Sequence, residues 1–426
     1  MRGAGVIGSR RGAGMGNSYT VLGAGIVGVC VALALQRDGN AVTLIDRDDP
    51  GHGCSFGNAG IIHSGGCVPM ATPGNIRSLP RTLFDPESAL VIPLCYAPRL
   101  MPWLFRMLAE SQPKRVEANA RALLPLAQAA QAAYAPLLRE AGAESVMRAR
   151  GELYVYRTRR AFEAARWEMD LRRRFGVPVE DFLSEQVRQM EPALSPDYRY
   201  AHYQSASSFV TSPLRLVQSL AALFASKGGA IVKTEVRDAR PHAAGGAALV
   251  TAAGELRAEN LVICAGAYSK RFAARFGADV PLESWRGYHI VAPQGGIVLN
   301  GVVADGEKHI AVTPMEDGLR VAGLLELAGL DAPPNFARTH MFLRLARALI
   351  PGFPSEVSSR WMGHRPGMPD SRPVIGRAPG RRDVYFAFGH GQLGLTFGAI
   401  TGRLIADLAA GRPSAIDLQP YRAERF

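Results

Sequence analysis

Three glycines near the start of the chain have the spacing of a dinucleotide-binding turn. The segment 23–28 (GAGIVG) follows a short β-prone run at 19–22 and leads into an apolar, helix-like stretch. In such a turn the first glycine bends the chain, the second lets the backbone approach a pyrophosphate, and the third packs helix on strand. A second strand-like run, 41–45, ends at Asp46, where a carboxylate can bind a ribose diol. The spacing therefore predicts a dinucleotide site.

Further segments rich in small residues follow this unit. The chain does not continue into the next unit of a nicotinamide dehydrogenase but enters the loop 50–60 (PGHGCSFGNAG). A later strand-like run is 260–269 (NLVICAGAYS), and a last strand at 383–388 leads through a glycine turn to a helix expected over 396–408. Glycine-rich loops of this kind let a ligand lie against the backbone. An ordinary structural turn is the alternative interpretation of both glycine clusters.

These segments resemble the flavin-dependent D-amino-acid oxidase superfamily. The resemblance begins at about residue 18, covers nearly the whole remaining chain and rests on VLGAGIVG with Asp46, SFGNAG, LVICAGAYS, WMGHRPGMPDSRPVIG and GHGQLGLTFGAITGRLIADL. Within the superfamily the chain is most similar to bacterial D-amino-acid dehydrogenases and D-hydroxyproline dehydrogenases. The resemblance implies an α/β fold with a discontinuous, Rossmann-like FAD-binding domain and an α+β substrate domain built on a mixed sheet.

FAD is the cofactor that the resemblance implies. The positions expected to bind it are Gly23, Gly25, Ile26, Val27, Gly28, Asp46, Arg47, Ser55, Asn58, Ala59, Gly60, Ala265, Gly266, Gly389, Gly391, Leu393, Gly394 and Thr396. The N-terminus of the last helix can face the flavin, where negative charge grows during reduction. No metal site is expected.

Arg365 and Tyr288 are the expected catalytic residues. Arg365, in the segment GHRPGMPD, matches the carboxylate-binding arginine of the family, and a planar guanidinium suits two-pronged binding of a carboxylate. Tyr288 begins a strand of the expected substrate domain, and its phenol can bond a carboxylate or amine. Weaker candidates for the site are His52, His63, His289 and His390, and Cys54 is not expected to tether the flavin.

The resemblance implies oxidative deamination of D-amino acids. A hydride would pass from Cα to flavin N5 and leave an imino acid, with no general base required. D-proline and hydroxy-D-proline are candidate substrates, and a quinone or another acceptor would take the electrons. Two alternatives remain: a glycine or sarcosine oxidase that uses oxygen, and an electron-transfer flavoprotein subunit without a substrate site of its own.

The chain divides into alternating pieces of two domains. Residues 1–17 are expected to be a flexible extension, the FAD-binding domain is expected at 18–75, 205–275 and 360–426, and the substrate domain at 76–204 and 276–359. Residues 324–328 and 336–350 are predicted to be helical because they are short apolar or helix-periodic runs.

Composition excludes several other classes of protein. The 426 residues are 47% hydrophobic, which is typical of a globular chain. The charge of +12 comes from dispersed arginines without a nucleic-acid motif, so no nucleic-acid partner is expected. Five cysteines fit no disulfide framework, which predicts a cytoplasmic protein. The apolar segment 100–108, which carries Trp103, allows peripheral contact with the inner face of a membrane.

Overall fold

The computed structural model describes residues 16–84 and 88–426, so most of the expected extension 1–17 lies outside the described residues. The helices are α1 (Ile26–Arg37), α2 (Pro73–Phe84), α3 (Ala97–Glu110), α4 (Pro113–Glu140), α5 (Arg159–Arg174), α6 (Glu185–Met190), α7 (Pro213–Ser226), α8 (Ser269–Arg275), α9 (His340–Leu349) and α10 (Gly394–Ala409). The strands are β1 (Ser18–Leu22), β2 (Ala41–Asp46), β3 (Ile61–Ile62), β4 (Leu90–Val91), β5 (Met147–Arg148), β6 (Glu152–Tyr156), β7 (Glu180–Leu183), β8 (Tyr200–Gln204), β9 (Ser208–Val210), β10 (Ala230–Lys233), β11 (Val236–Pro241), β12 (Ala247–Thr251), β13 (Gly254–Ala258), β14 (Asn260–Ile263), β15 (Glu283–Ala292), β16 (Val302–Asp305), β17 (Ile310–Met315), β18 (Gly318–Glu326), β19 (Ser359–Gly367), β20 (Val374–Arg377) and β21 (Val384–Phe388).

A six-stranded sheet forms the first half of the fold, in the order β10-β2-β1-β14-β21-β20. Its strands are parallel except for β20, which pairs antiparallel with β21. Strands β1, β14 and β21 are almost wholly buried, as strands covered on both faces are. Helices α1, α4, α7 and α10 pack on one face, while α8 and the three-stranded sheet β11-β12-β13 pack on the other.

A nine-stranded mixed sheet forms the second half, in the order β19-β15-β18-β17-β16-β6-β8-β7, with β4 paired to β18. Most neighbours are antiparallel, but β6 pairs parallel with β16. Helix α9 packs its apolar side on one face of this sheet through Phe342 and Leu345. The parallel and the mixed sheet are those expected of the fold class. Strand β19 belongs to this sheet although it lies within the piece 360–426, and the domain boundaries stay a prediction.

The predicted elements around both glycine clusters are confirmed. β1 and β2 cover the two strand runs, and α10 begins at Gly394, two residues before the expected start. The prediction for 324–328 is wrong, because these residues include the end of strand β18. A short apolar run fits a helix or a strand equally well, and pairing of β18 with β15 decides between them. Residues 336–350 are helical, as predicted.

No helix within the described ranges is both long and apolar enough to cross a bilayer. Helix α3 contains the apolar segment 100–108, and only some of the side chains of this segment are buried. Leu100 and Trp103 are buried, whereas Met101, Phe105 and Leu108 are exposed. One side of α3 therefore presents apolar side chains to solvent.

Helices α1 and α10 cross closely because glycine removes a side chain from their contact. A Cβ atom on Gly402 would lie 2.4 Å from the carbonyl oxygen of Cys30. Helix α1 begins at the first glycine turn and α10 at the second. The contact between the helices therefore fixes the two turns relative to each other.

Replacing Gly402 by alanine should destabilise the protein, because the new methyl group overlaps the backbone of α1. Overpacking costs about 1–3 kcal/mol, which outweighs the gain of up to about 1 kcal/mol from alanine in a helix. We expect the thermal unfolding midpoint to fall. The matched control is Gly74→Ala in α2, where the nearest atom to the new Cβ is 3.8 Å away and the midpoint should stay or rise. Equal midpoints for the two variants would contradict the close contact.

Candidate active site

The carboxyl ends of three parallel strands open on one cleft. β1, β2 and β14 end there, and the cleft has a volume of about 380 Å³. Ligands of open α/β sheets bind at this edge. The loop 52–58 forms one wall, and residues 361–366 of β19, from the mixed sheet, form another. The cleft therefore lies between the two sheets.

The first glycine turn brings backbone to the wall of the cleft. Gly23 has φ of +111°, which residues with a Cβ rarely adopt. A Cβ on Gly28 would lie 1.8 Å from the carbonyl oxygen of Gly23, so only glycine permits this tight turn. The backbone N–H of Ile26 donates to Ser55 Oγ at 3.0 Å. The N-cap residue of α1 is Gly25, which has no side chain to bond the helix, and the first turn has no acidic residue.

Asp46 is held beside this turn by backbone donors. Its Oδ2 accepts from the N–H of Ala24 at 2.6 Å, and its Oδ1 accepts from the N–H of Asp48 at 3.0 Å. The next residue, Arg47, places its guanidinium carbon 4.5 Å from the centre of the Tyr268 ring. A fixed carboxylate and a flat cation–aromatic pair thus line one end of the cleft.

A second helix N-terminus opens on the same cleft. Gly391, Gly394 and Leu395 line it where α10 begins. Helix α10 has no acidic residue in its first turn and no side-chain cap within the described chain. The positive ends of the α1 and α10 dipoles therefore face one space, which favours negative charge in a ligand.

The structure brings together most of the residues predicted to bind the cofactor. Those that line the cleft are Gly23, Gly25, Ile26, Val27, Asp46, Arg47, Ser55, Asn58, Ala265, Gly266, Gly391 and Gly394. Those that do not line it are Gly28, Ala59, Gly60, Gly389, Leu393 and Thr396. Several of this second group support the walls. The hydroxyl of Thr396, for example, accepts a bond from the N–H of His63 at 3.2 Å.

Arg365 lies at the other end of the cleft, on strand β19. Its guanidinium donates to the carbonyl oxygen of Leu324 at 3.1 Å. No carboxylate in the described part of the chain forms an ion pair with it. Burial lowers the pKa of Arg365, and the nearby Cys54 acts in the opposite direction. A cation that is partly removed from water and has no anion beside it is costly, so this end of the cleft favours an anionic ligand.

Tyr288 does not line the cleft. In the pairing of β15 with β19, Trp285 lies opposite Arg365, and Tyr288 is three residues further along β15, on the other face. The Tyr288 hydroxyl donates to Glu326 Oε2 at 2.5 Å and accepts from the N–H of Asn335 at 3.0 Å. Its catalytic role stays a prediction, and the structure offers it no contact with the cleft.

The other titratable side chains around Arg365 are held neutral. Burial lowers the pKa of His364 to about 4, with the charges of Arg286 and Arg47 acting in the same direction. Burial also lowers the pKa of His390 to about 3. The Cys54 thiol has its pKa raised to about 11 by burial, so it is not a ready thiolate. Positive charge near Arg365 therefore comes from arginine side chains and from the dipole of α10.

Sequence reasoning missed several residues of the cleft. Trp361 lies four residues before Arg365 on the same strand and lines the cleft, with its ring stacked on His289 at 5.3 Å. Because side chains alternate along a strand, positions 361 and 365 share a face. That period is the signal that could have found Trp361. His364, Tyr268 and Arg271 also line the cleft.

Comparison with known proteins agrees with this geometry. The model of the DAO family, described as FAD dependent oxidoreductase, matches residues 18–408. A D-amino-acid oxidase from Bradyrhizobium diazoefficiens is 34% identical and is covered over 99% of its length by 96% of this chain. A D-amino acid dehydrogenase from Paramagnetospirillum magneticum is 32% identical over 95% of this chain and 98% of its own. The crystal structure of glycine oxidase from Geobacillus kaustophilus matches with a TM-score of 0.75 at 23% identity, covering 96% of this chain and 98% of that one. The predicted relationship is confirmed: this chain belongs to the DAO family of FAD-dependent oxidoreductases.

Proposed function

We propose that this protein oxidises D-amino acids to imino acids and passes the electrons to an acceptor other than oxygen. The observation that carries the proposal is Arg365, a half-buried guanidinium at one end of the cofactor cleft that has no carboxylate partner among the described residues. An amino-acid carboxylate supplies the missing anion and accepts two parallel N–H bonds. The names of the two curated relatives support a D-amino acid as the substrate.

The residues of the cleft fit FAD. Asp46 would accept bonds from the ribose diol, and the N-terminus of α1, whose first turn has no acidic residue, would face the pyrophosphate. Gly25 permits that approach because it has no side chain on the side of the cleft. The protein atom nearest to a Cβ at this position would be Ser55 Oγ, at 3.3 Å. The N-terminus of α10 would stabilise negative charge on the flavin. When bound, FAD supplies the two-electron acceptor for oxidation at Cα.

The protein's own contribution to the reaction is orientation. With the carboxylate fixed on Arg365, Cα is held at the inner end of the cleft, and one enantiomer can place its hydrogen inward while its side chain fits the remaining space. Trp361 provides an apolar wall on the same face of the sheet. Neutral His364 and His390 add no positive charge that would oppose a cationic substrate amine before it loses its proton. D-proline and hydroxy-D-proline are candidates whose ring suits such a wall.

The outward side of α3 supports contact with a membrane, where a quinone acceptor would dissolve. Phe105 is 61% exposed, and Leu94, just before the helix, is 91% exposed. The cations Arg99 and Arg106 are exposed on the same helix. Apolar side chains flanked by arginine suit the interface of an anionic bilayer, and the net charge of +12 acts in the same direction.

The inward side of α3 touches the wall of the active site. The Trp103 indole N–H donates to the carbonyl oxygen of Pro281 at 3.0 Å, and its ring meets Trp285 edge-on at 6.0 Å. Trp285 is the residue opposite Arg365 on β15. A bilayer bound at α3 would therefore lie near the substrate end of the cleft.

Loss of the Asp46 carboxylate should weaken FAD binding. Asp46→Ala removes a charge-assisted acceptor worth about 1.5–3 kcal/mol, or roughly tenfold to hundredfold in Kd. Titration of the apoprotein with FAD, followed by quenching of flavin fluorescence, measures this. The control is Asp49→Ala, because Asp49 is exposed and bonds Lys233 instead. An unchanged Kd in Asp46→Ala would remove Asp46 from the FAD site.

The substrate class is tested by anaerobic bleaching of the purified flavoprotein with D- and L-proline, D- and L-alanine, and glycine. We expect the D-amino acids to reduce the flavin. Arg365→Met should lose about 3–5 kcal/mol of transition-state binding, at least about a hundredfold in kcat/KM, because the carboxylate then meets an apolar side chain. Its FAD content should be unchanged.

Three results would contradict parts of the proposal. Faster bleaching by L-amino acids would reverse the assigned stereochemistry, and near-normal kcat/KM in Arg365→Met would exclude the carboxylate site. Turnover with oxygen equal to that with an artificial dye would make the protein an oxidase. The matched charge control is Arg106→Met, because Arg106 is exposed on α3 and is not one of the residues that line the cleft.

Membrane contact is tested by co-sedimentation with vesicles. The protein should bind vesicles of phosphatidylglycerol and phosphatidylcholine at equal amounts, and Phe105→Asp should weaken binding at least about tenfold, since an apolar anchor becomes an anion. Val298→Asp is the control, because Val298 is 73% exposed elsewhere on the surface. Equal binding of both variants would exclude α3 as the contact.

A further inference from the structure

Two backbone features lie directly against the Arg365 side chain. A Cβ on Gly287 would lie 2.1 Å from the guanidinium carbon and 2.2 Å from Nη2. The carbonyl oxygen of Leu324 accepts from Nη1 at 3.1 Å. The guanidinium therefore lies flat over one strand and is bonded to the next.

Gly287 lies on the face of β15 that Arg365 shares. Its partner on β19 is Gly363, and Arg365 lies opposite Trp285, two residues before Gly287. Side chains at such diagonal positions on one face approach each other. The gap left by the missing Cβ is filled by the arginine itself, so any larger residue at 287 must displace the guanidinium.

Leu324 lies on β18, the strand that pairs with β15 on the side opposite β19. Arg286 pairs with Glu326, and Tyr288 pairs with Gly323, so Leu324 and Leu325 together lie opposite Gly287. This two-against-one arrangement is a β-bulge, a feature that redirects groups beside active sites. Leu324 has φ of +55°, a left-handed conformation that a branched hydrophobic residue rarely adopts. The bulge frees its carbonyl oxygen from the ladder and directs it to Arg365.

We propose that Gly287 and the bulge at Leu324 are positioning residues that present Arg365 to the substrate carboxylate. The inference rests on the proposed role of Arg365. One N–H of Nη1 is used by Leu324, and the remaining donors of the fork stay available to a carboxylate in the cleft. Backbone groups hold the guanidinium in place, and within residues 16–84 and 88–426 no acidic side chain forms an ion pair that would neutralise the cation.

A double-mutant cycle on Gly287 and Arg365 tests the proposal. Gly287→Ala in the holoenzyme should raise KM for the D-amino acid about tenfold to hundredfold, because the guanidinium moves by an ångström or more. FAD content should stay as in the parent protein. In the Arg365→Met background, Gly287→Ala should change KM less than about twofold, because the group it displaces is gone. The control for the substitution itself is Gly352→Ala, where no atom lies within 4 Å of the new Cβ.

The outcomes separate this inference from the proposed function. If Arg365→Met leaves KM unchanged, the carboxylate site fails and the inference fails with it. If Arg365→Met raises KM but Gly287→Ala does not, or if the two effects add, the positioning role is overturned and the carboxylate site stands.

A second pair of variants tests the bulge. Leu324→Val disfavours the left-handed conformation and should raise KM, while Leu324→Gly permits it and should keep KM even where its unfolding midpoint falls. The reverse order would overturn the role of the bulge.

Discussion

The rest of this site depends on the charge of the Arg365 guanidinium, which no carboxylate of the described residues pairs with. Burial disfavours the charge of Arg365, and the acceptor that the protein provides is the neutral carbonyl oxygen of Leu324. A cation removed from water is stabilised by an anion or by a full set of hydrogen bonds. The part of the chain that the structure describes leaves this set incomplete, so a bound carboxylate improves the electrostatics of the protein itself. The free energy lost when the Arg365 charge is removed from water on folding is therefore partly regained when a carboxylate binds.

Missing side chains decide where ligands and charged groups can approach. At the first turn, a Cβ on Gly28 would lie 1.8 Å from the carbonyl oxygen of Gly23, and a Cβ on Gly23 would lie 2.4 Å from that of Cys264. At the mixed sheet, Gly287 leaves room for the Arg365 guanidinium, and a Cβ on Gly57 of the loop 52–58 would lie 1.9 Å from the Trp361 ring. The first two glycines shape the cofactor end of the cleft, and the other two shape the substrate end. At each of these positions another group packs directly against the glycine backbone, so an added methyl group would overlap it.

The cofactor half was predictable from the sequence because its signals are local. The spacing of Gly23 and Gly25 and the position of Asp46 are set within one strand–turn–helix–strand unit. The substrate half depends on pairing between distant strands. Tyr288 follows Gly287 directly, but strand alternation turns it to the face covered by α9. Residues 324–328 look helical in isolation, and only pairing with β15 makes Leu324 part of a bulged strand. Register between strands far apart in sequence is the information that the local pattern lacks.

The charge of the substrate end changes little with pH over the range in which amino acids are zwitterions. His390 and His364 stay neutral above their lowered pKa values of about 3 and 4, and the raised pKa of Cys54 keeps its thiol protonated up to about 11. Arginine side chains and the α10 dipole supply the positive potential, and neither titrates in that range. These groups therefore present the same charge to a carboxylate at pH 6 and at pH 9. The substrate amine does change its protonation with pH, and its neutral form is the one that can release electrons from Cα.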